Sequence, residues 1–184
     1  NNVFTAVLLM DLSGIVANTA GNYYATMEVA DIDDDGDKDV FLNDYTGGSV
    51  IMLRNDSMVF TPITISDDII TPGQLQVVDI DIDGDQDILL ANMTWGKIYQ
   101  YTNDGNENFT DTMITDRAGA PRNIELIDFD KDGDLDFFTN SYGDYKTVWF
   151  ENLLIDCPRT YAETSVTICN GDSLLFGVNY ISEQ

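Results

Sequence analysis

Short apolar runs recur along the chain, each too brief for a helix and enriched in β-branched and aromatic residues. Val29 and Ala30 lead into an acidic stretch and residues 40–42 leave it; Val77 and Val78 lead into a second, followed by 88–90; Leu126 and Ile127 lead into a third, followed by Phe137 and Phe138. Such runs, bounded by Gly, Asn and Asp, predict β-strands. Beyond each comes a turn (residues 46–48, 94–96 and 142–144), then a further strand (50–53, 98–101 and 147–150). The chain therefore reads as a repeated unit of strand, acidic loop, strand, turn, strand, Asn-containing turn and final strand.

The period is 48 residues from Asp31 to Asp79 and 49 from Asp79 to Asp128. Each acidic stretch ends on an aspartate sixteen residues before an asparagine: Asp39 and Asn55, Asp87 and Asn103, Asp136 and Asn152. Phe60-Thr61 and Phe109-Thr110 mark the final strand of the first two units, and Phe4-Thr5 opens the chain. The third unit lacks that mark, so its final strand is expected to be missing. The N-terminal segment 3–9 is a candidate to fill the gap, in the same chain or in a neighbouring copy, because strand addition satisfies a row of edge groups at once. Periods of this length with several short strands predict stacked or radially arranged sheets that cannot bury their faces alone.

The acidic stretches 31–39, 79–87 and 128–136 all fit D-x-D-x-D-G-D-x-D. So many carboxylates in nine residues repel one another unless a cation lies between them. A hard divalent ion with oxygen ligands is the economical solution, and calcium tolerates six to eight flexible carboxylate and carbonyl oxygens where magnesium does not. The first, third and fifth aspartates can converge if the backbone curls, and the glycine at position 6 supplies the turn. Position 7 would then offer its carbonyl, position 9 would close the shell, and the apolar residue at position 2 (Ile32, Ile80, Phe129) would anchor the loop in a core. An EF-hand begins in the same way, but its twelfth-position Glu is replaced here by Leu42, Leu90 and Thr139, and the flanks read as strands.

Motif, period and downstream landmarks together resemble the FG-GAP/VCBS repeats, also found in the integrin α-subunit propeller, over residues 1–152. The resemblance implies an all-β fold of propeller-like blades, each of about four antiparallel strands, with about three Ca²⁺ ions in loops between first and second strands. By the family pattern the ligands are Asp31, Asp33, Asp35, Asp37 (through its carbonyl) and Asp39; Asp79, Asp81, Asp83, Asp85 and Asp87; and Asp128, Asp130, Asp132, Asp134 and Asp136. Propellers ordinarily close with four to eight blades. Three units leave two alternatives: a ring completed by further sequence, or an open array that associates with itself, head to tail in a filament if strand addition repeats without closing.

Residues 153–184 break the period and read as a β-rich segment around Asn170-Gly171-Asp172, either a capping hairpin or the start of a β-sandwich module. The run 167–173 resembles the start of such modules in bacterial surface proteins of the Bacteroidetes type. Cys157 and Cys169 are spaced for a small disulfide loop.

Charge sharpens the picture. The chain of 184 residues carries a formal charge of −25, with sixteen of its 33 acidic residues in the three loops, and an apolar content of 43% that excludes a disordered acidic tail. Eight Lys plus Arg and no basic run make nucleic acid an unsuitable partner. No apolar stretch is long enough to span a membrane as a helix. The start at Asn1 suggests a mature piece of something larger. Modest-affinity calcium loops and a disulfide would both suit a secreted or cell-surface setting.

With no histidine and the clustered carboxylates committed to metal, no catalytic base or nucleophile stands out, and the expectation is a protein that is not an enzyme. Asp67-Asp68 reads as a solvated turn, and Trp149 as a core residue within a strand. Trp95, Tyr45 and Tyr142 occupy comparable turns, where rings can stack on a glycan or meet a protein ligand, or pack between blades. Asn55, Asn92 and Asn108 head N-x-[ST] triplets. Ser57, Thr112 and Ser173 lie in triplets resembling the Bacteroidetes O-glycosylation signal, with Ser57 and Thr112 expected at the same turn of successive units.

Overall fold

A computed structural model describes residues 4–6, 8, 24–45, 47–142, 145–154 and 174–176. Among these the chain is all-β, with no helix. The strands are β1 (Tyr24–Ala30), β2 (Asp39–Asp44), β3 (Ser49–Asp56), β4 (Val59–Ser66), β5 (Pro72–Val78), β6 (Asp87–Asn92), β7 (Lys97–Asn103), β8 (Phe109–Thr115), β9 (Pro121–Ile127), β10 (Asp136–Ser141), β11 (Thr147–Phe150) and β12 (Leu174–Phe176). They form three four-stranded antiparallel sheets in the orders β1-β2-β3-β4, β5-β6-β7-β8 and β9-β10-β11-β12. Each acidic stretch joins the first two strands of its sheet, as its flanking apolar runs predict.

The sheets lie side by side, β1 against β5 and β5 against β9. The second strand of each of the first two sheets, Asp39–Asp44 and Asp87–Asn92, is buried along its whole length. Burial on both faces explains why the central runs are nearly continuous in apolar residues instead of alternating. Phe41, Val50 and Met52 of the first sheet pack with Leu75, Ile88, Leu90 and Tyr101 of the second. Leu89, Ala91 and Ile98, on the other face of the second sheet, pack with Ile124 and Phe137 of the third. Trp149 is 2% exposed, in β11, in keeping with the core reading.

The connections between sheets are tied to both neighbours. Ile69 N donates to Gly48 O in the turn behind it, and Met93 N, in the turn ahead, donates to Thr71 O, at 2.9 and 3.2 Å. The same pair recurs one unit later as Ala118 N to Gly96 O and Tyr142 N to Ala120 O, again at 2.9 and 3.2 Å. Gly48 cannot carry a side chain here: its φ is +72° and a Cβ would meet Ile69 O at 2.5 Å.

The final strand of the third sheet departs from expectation. That position is filled by β12, whose Leu174, Leu175 and Phe176 pair with Trp149, Val148 and Thr147. The N-terminal segment 3–9 does not supply it: its described residues Phe4, Thr5, Ala6 and Leu8 are in no strand, and Phe4 and Leu8 are 91% and 81% exposed. The Phe-Thr landmark identifies a final strand that follows directly on the third. It carries no information about one contributed from 20 or more residues downstream, because pairing partners across a sheet edge are chosen by the edge, not by sequence distance.

Replacing Leu90, fully buried between the first two sheets, by Ala should cost about 2–5 kcal/mol of stability, read as a lower denaturation midpoint at unchanged slope.

Candidate metal centre

In each acidic loop the chain curls through two left-handed residues. Position 4 has a positive φ in all three (Asp34 56°, Ile82 58°, Lys131 67°), as does the glycine at position 6 (Gly36 94°, Gly84 103°, Gly133 107°). A Cβ added at Gly36 or Gly84 would meet nothing within 4 Å, so backbone conformation and not crowding calls for glycine there. Lys131 and Ile82 hold the same conformation without being glycine, which the sequence alone did not disclose.

The curl turns the early aspartates inward. Carboxylate oxygens of Asp79, Asp81 and Asp83 come within 4.8 Å of one another, as do those of Asp128, Asp130 and Asp132, and those of Asp31, Asp33 and Asp39. Asp35 groups instead with Asp33 and the exposed Asp56. Loop amides hold the carboxylates: Gly36 N donates to Asp31 Oδ2 at 3.2 Å, Gly84 N to Asp79 Oδ2 at 3.1 Å, and Asp132 N to Asp128 Oδ1 at 3.1 Å. Position 7 uses its side chain outwardly in the first loop, where Asp37 Oδ2 accepts from Ser57 N at 2.7 Å. In the second, Gly105 lies so close to Asp85 that a Cβ would meet its Oδ2 at 2.6 Å.

The ninth-position aspartates have a role that spacing implied without explaining. Asp39, Asp87 and Asp136 are fully buried. Asp39 Oδ1 accepts from Asn55 N at 2.8 Å and Oδ2 from Ile32 N at 2.9 Å. Asp136 repeats this with Asn152 N at 2.9 Å and Phe129 N at 3.1 Å, and Asp87 Oδ1 accepts from Asn103 N at 2.8 Å. The sixteen-residue interval is thus a bond from the start of the second strand to the end of the third, and the asparagine side chains continue it by capping the turn that follows: Asn55 Oδ1 accepts from Met58 N at 2.8 Å and Asn103 Oδ1 from Gly105 N at 3.2 Å.

The donor set suits a hard divalent cation. Asp31 Oδ1 and Asp81 Oδ1 are buried without a hydrogen-bond partner, an arrangement that is costly for a carboxylate unless a cation takes the free lone pairs. Burial pushes the Asp81 carboxyl up, and the neighbouring Asp83 carboxylate adds to it; burial raises Asp33 as well. Asp87 is pushed up to about 6 by burial, against the pull of the Asn103 N–H and with help from Asp81 and Asp83. Burial also raises Asp136, opposed by the Asn152 and Phe129 amides. Beside the first loop the Arg54 guanidinium lies 4.0 Å from Asp33 and 3.0 Å from Glu107 in the turn between β7 and β8, a link no sequence signal marked.

Residues 79–139, from the second acidic loop to the strand beyond the third, match the family model of the FG-GAP-like repeat. This segment is an FG-GAP-like repeat. No curated protein matches the chain. FG-GAP-like repeats form structural and binding domains of the adhesive kind, typical of extracellular proteins, and no described helix is long and apolar enough to cross a membrane. The first loop stands in the same register as the two within the matched FG-GAP-like segment, one period earlier, with the same positive-φ positions and the same buried ninth aspartate.

The remaining candidates fall in different settings. Trp95, 45% exposed, has the Lys97 ammonium 5.1 Å from its ring, and Tyr142, 64% exposed, has the Arg122 guanidinium at 4.1 Å. Tyr45 is half-buried and lines a shallow cleft with Asp67 and Asp68, both exposed as expected. Asn55 and Asn92 are buried, and the Asn55 amide donates to Lys38 O at 3.1 Å. Asn108 is exposed, with its amide on Asp104. Ser57 and Thr112 are both exposed but not equivalent: Ser57 is in the β3–β4 turn, and Thr112 is inside β8 opposite Gln100. The shared Asp-[ST] dipeptide misled there because it falls seven residues later relative to the loop. Cys157, Cys169 and Ser173 lie outside the described residues.

In the metal-free protein Asp87 binds its proton more tightly folded (about 6) than unfolded (3.8), so this group favours the fold below the unfolded value and the gain is lost as pH rises through about 6. The difference corresponds to about 3 kcal/mol. Metal-free protein should therefore melt higher near pH 5 than near pH 7.5, and Asp87→Asn should flatten that slope in calorimetry.

Proposed function

We propose that the chain is a calcium-stabilised structural or adhesive repeat protein of the extracellular space, its three sheets being propeller-type blades. The observation that carries this reading is the convergence of three carboxylates in each loop, with Asp31 Oδ1 and Asp81 Oδ1 buried and unpartnered. Asp31, Asp33 and Asp39, Asp79, Asp81 and Asp83, and Asp128, Asp130 and Asp132 would hold the ions; the carbonyls of Asp37, Asp85 and Asp134 would complete the shells. Bound calcium supplies charge compensation that lets each loop keep its curl, and so links metal occupancy to folding by mass action. The residues themselves fix the loop ends: the ninth aspartates tie loop to sheet whether or not an ion is bound.

Because β12 occupies the edge of the third sheet, self-association by strand addition at that edge would require displacing it. Association through sheet faces is the simpler route.

Saturating calcium should raise the melting temperature and EDTA lower it, with about three ions bound per chain by titration calorimetry; Asp81→Asn should remove one of them. Melting that is indifferent to EDTA would refute the calcium reading.

A second reading, a glycan- or protein-binding module, is favoured by the exposure of Trp95 and Tyr142 beside cationic side chains. Saturable binding on a glycan array, abolished by Trp95→Ala without a change in melting, would establish it.

A further inference from the structure

The two segments that connect successive sheets share a backbone and differ in what they display. The amide pairs that bind each of them to the turn behind and the turn ahead have the same lengths, 2.9 and 3.2 Å. Five positions around these bonds change character together. Ten residues after the ninth aspartate the first unit has Ser49 and the second Lys97, and two residues before these stand Gly47 and Trp95. Eleven and six residues before the next loop the first connector has Asp68 and Gly73, the second Arg117 and Arg122. In the turn ahead, Met93 gives way to Tyr142. One scaffold thus accepts small, acidic and apolar residues at these places and, one period later, three cations and two aromatic rings, so the fold itself does not call for the second set.

The five lie together. Ala118 N donates to Gly96 O and Tyr142 N to Ala120 O, which sets the segment 117–122 between the turns that hold Trp95 and Tyr142. Lys97 Nζ lies 5.1 Å from the Trp95 ring and 5.8 Å from that of Tyr99, and the Arg122 guanidinium lies 4.1 Å from the ring of Tyr142. Trp95 and Tyr142 keep 45% and 64% of their surface open, and the Arg117 side chain keeps 91%. Among the described residues Lys97 and Arg122 enter no ion pair, and Arg117 reaches only its neighbour Asp116, at 4.0 Å. In a chain of 33 acidic residues against eight Lys and Arg, a carboxylate would be the commonest neighbour for any cation, and here rings take that place.

The acidic loops do not cancel this patch. Each loop is at the far end of its sheet from the turn between second and third strands, and β6, at 6 residues, spans about 20 Å. That exceeds twice the screening length of about 8 Å at physiological salt, so an incoming anion meets the local cations and not the distant carboxylates.

We propose that this face binds an anionic polysaccharide, with its carboxylate or sulfate groups on Lys97, Arg117 and Arg122 and its sugar faces on Trp95 and Tyr142. The inference rests on the second reading above, a binding module, and is independent of the calcium reading. Guanidinium groups offer paired N–H donors that match such oxyanions. Open rings set among the cations suit a ligand with apolar faces and charged edges. An acidic peptide would be held through pockets for its side chains, and the cleft beside Tyr45 is at the other connector, where Asp67 and Asp68 line it.

Dextran sulfate and dextran share a sugar and differ in charge, which makes them the probes for titration calorimetry on the intact chain. Dextran sulfate should bind at least ten times more tightly than dextran, with an affinity that falls as sodium chloride is raised. Lys97→Ser and Arg117→Asp each place in the second connector the residue that the first carries in that register, so both should leave the melting temperature unchanged while weakening dextran sulfate by about tenfold. Trp95→Ala should weaken it as well. Equal affinity for dextran would overturn the role of charge and leave the second reading standing. Polyglutamate bound as tightly as dextran sulfate, or no effect of Trp95→Ala, would overturn the polysaccharide in favour of an acidic peptide. Neutral glycans held on an array while dextran sulfate stays unbound would sink this inference alone, and the absence of binding to either would sink it together with the second reading.

Discussion

A buried carboxylate that takes backbone N–H groups from two directions is the constraint on which each unit depends. Asp39 and Asp136 each bind one amide of their own loop and one at or just beyond the end of the third strand, and Asp87 binds the strand-end amide in the same way. A fully buried carboxylate is tolerable only because its lone pairs are so used, and hydrogen bonds to an ionised acceptor are among the stronger ones. The same atoms therefore shape the loop, fix where the third strand ends and start the turn beyond it. A sheet built this way has both ends of its acidic loop fixed by protein groups alone.

Stacking follows from the same register. With the second strand locked at its first residue, alternate side chains of β2 and β6 point to opposite faces: Phe41 and Leu90 meet in the junction of the first two sheets, Leu89 enters the junction with the third, and Leu42 packs with other residues of the first sheet. The apolar residue at position 2 of the loop is carried to the junction with the following sheet. Loop, sheet and junction are thus three views of one arrangement, which is why a period near 48 residues holds so closely through the middle of the chain.

Much of this was legible because it is local. Three copies of D-x-D-x-D-G-D-x-D, the short apolar runs around them and the sixteen-residue interval placed the strands β1 to β11 and the loops close to where they lie. The final strand of the third sheet was not legible, since Leu174–Phe176 reaches β11 from far along the chain and no local pattern encodes such a partner. The burial of Asn55 and Asn92 was not legible in their triplets for a related reason: three residues specify a chemistry but not burial, and both asparagines are held inside the fold. Arg54 bridging Asp33 and Glu107 was invisible because it joins residues 53 positions apart across two sheets.

The paired amide contacts that bind each connecting segment to the turn behind and the turn ahead have a mechanical consequence. Tension pulling successive sheets apart would strain Ile69–Gly48 and Met93–Thr71 together with the junction they flank, so that the linker cannot pay out as slack before the interface yields. Extension under load should then proceed in abrupt steps, whole units at a time.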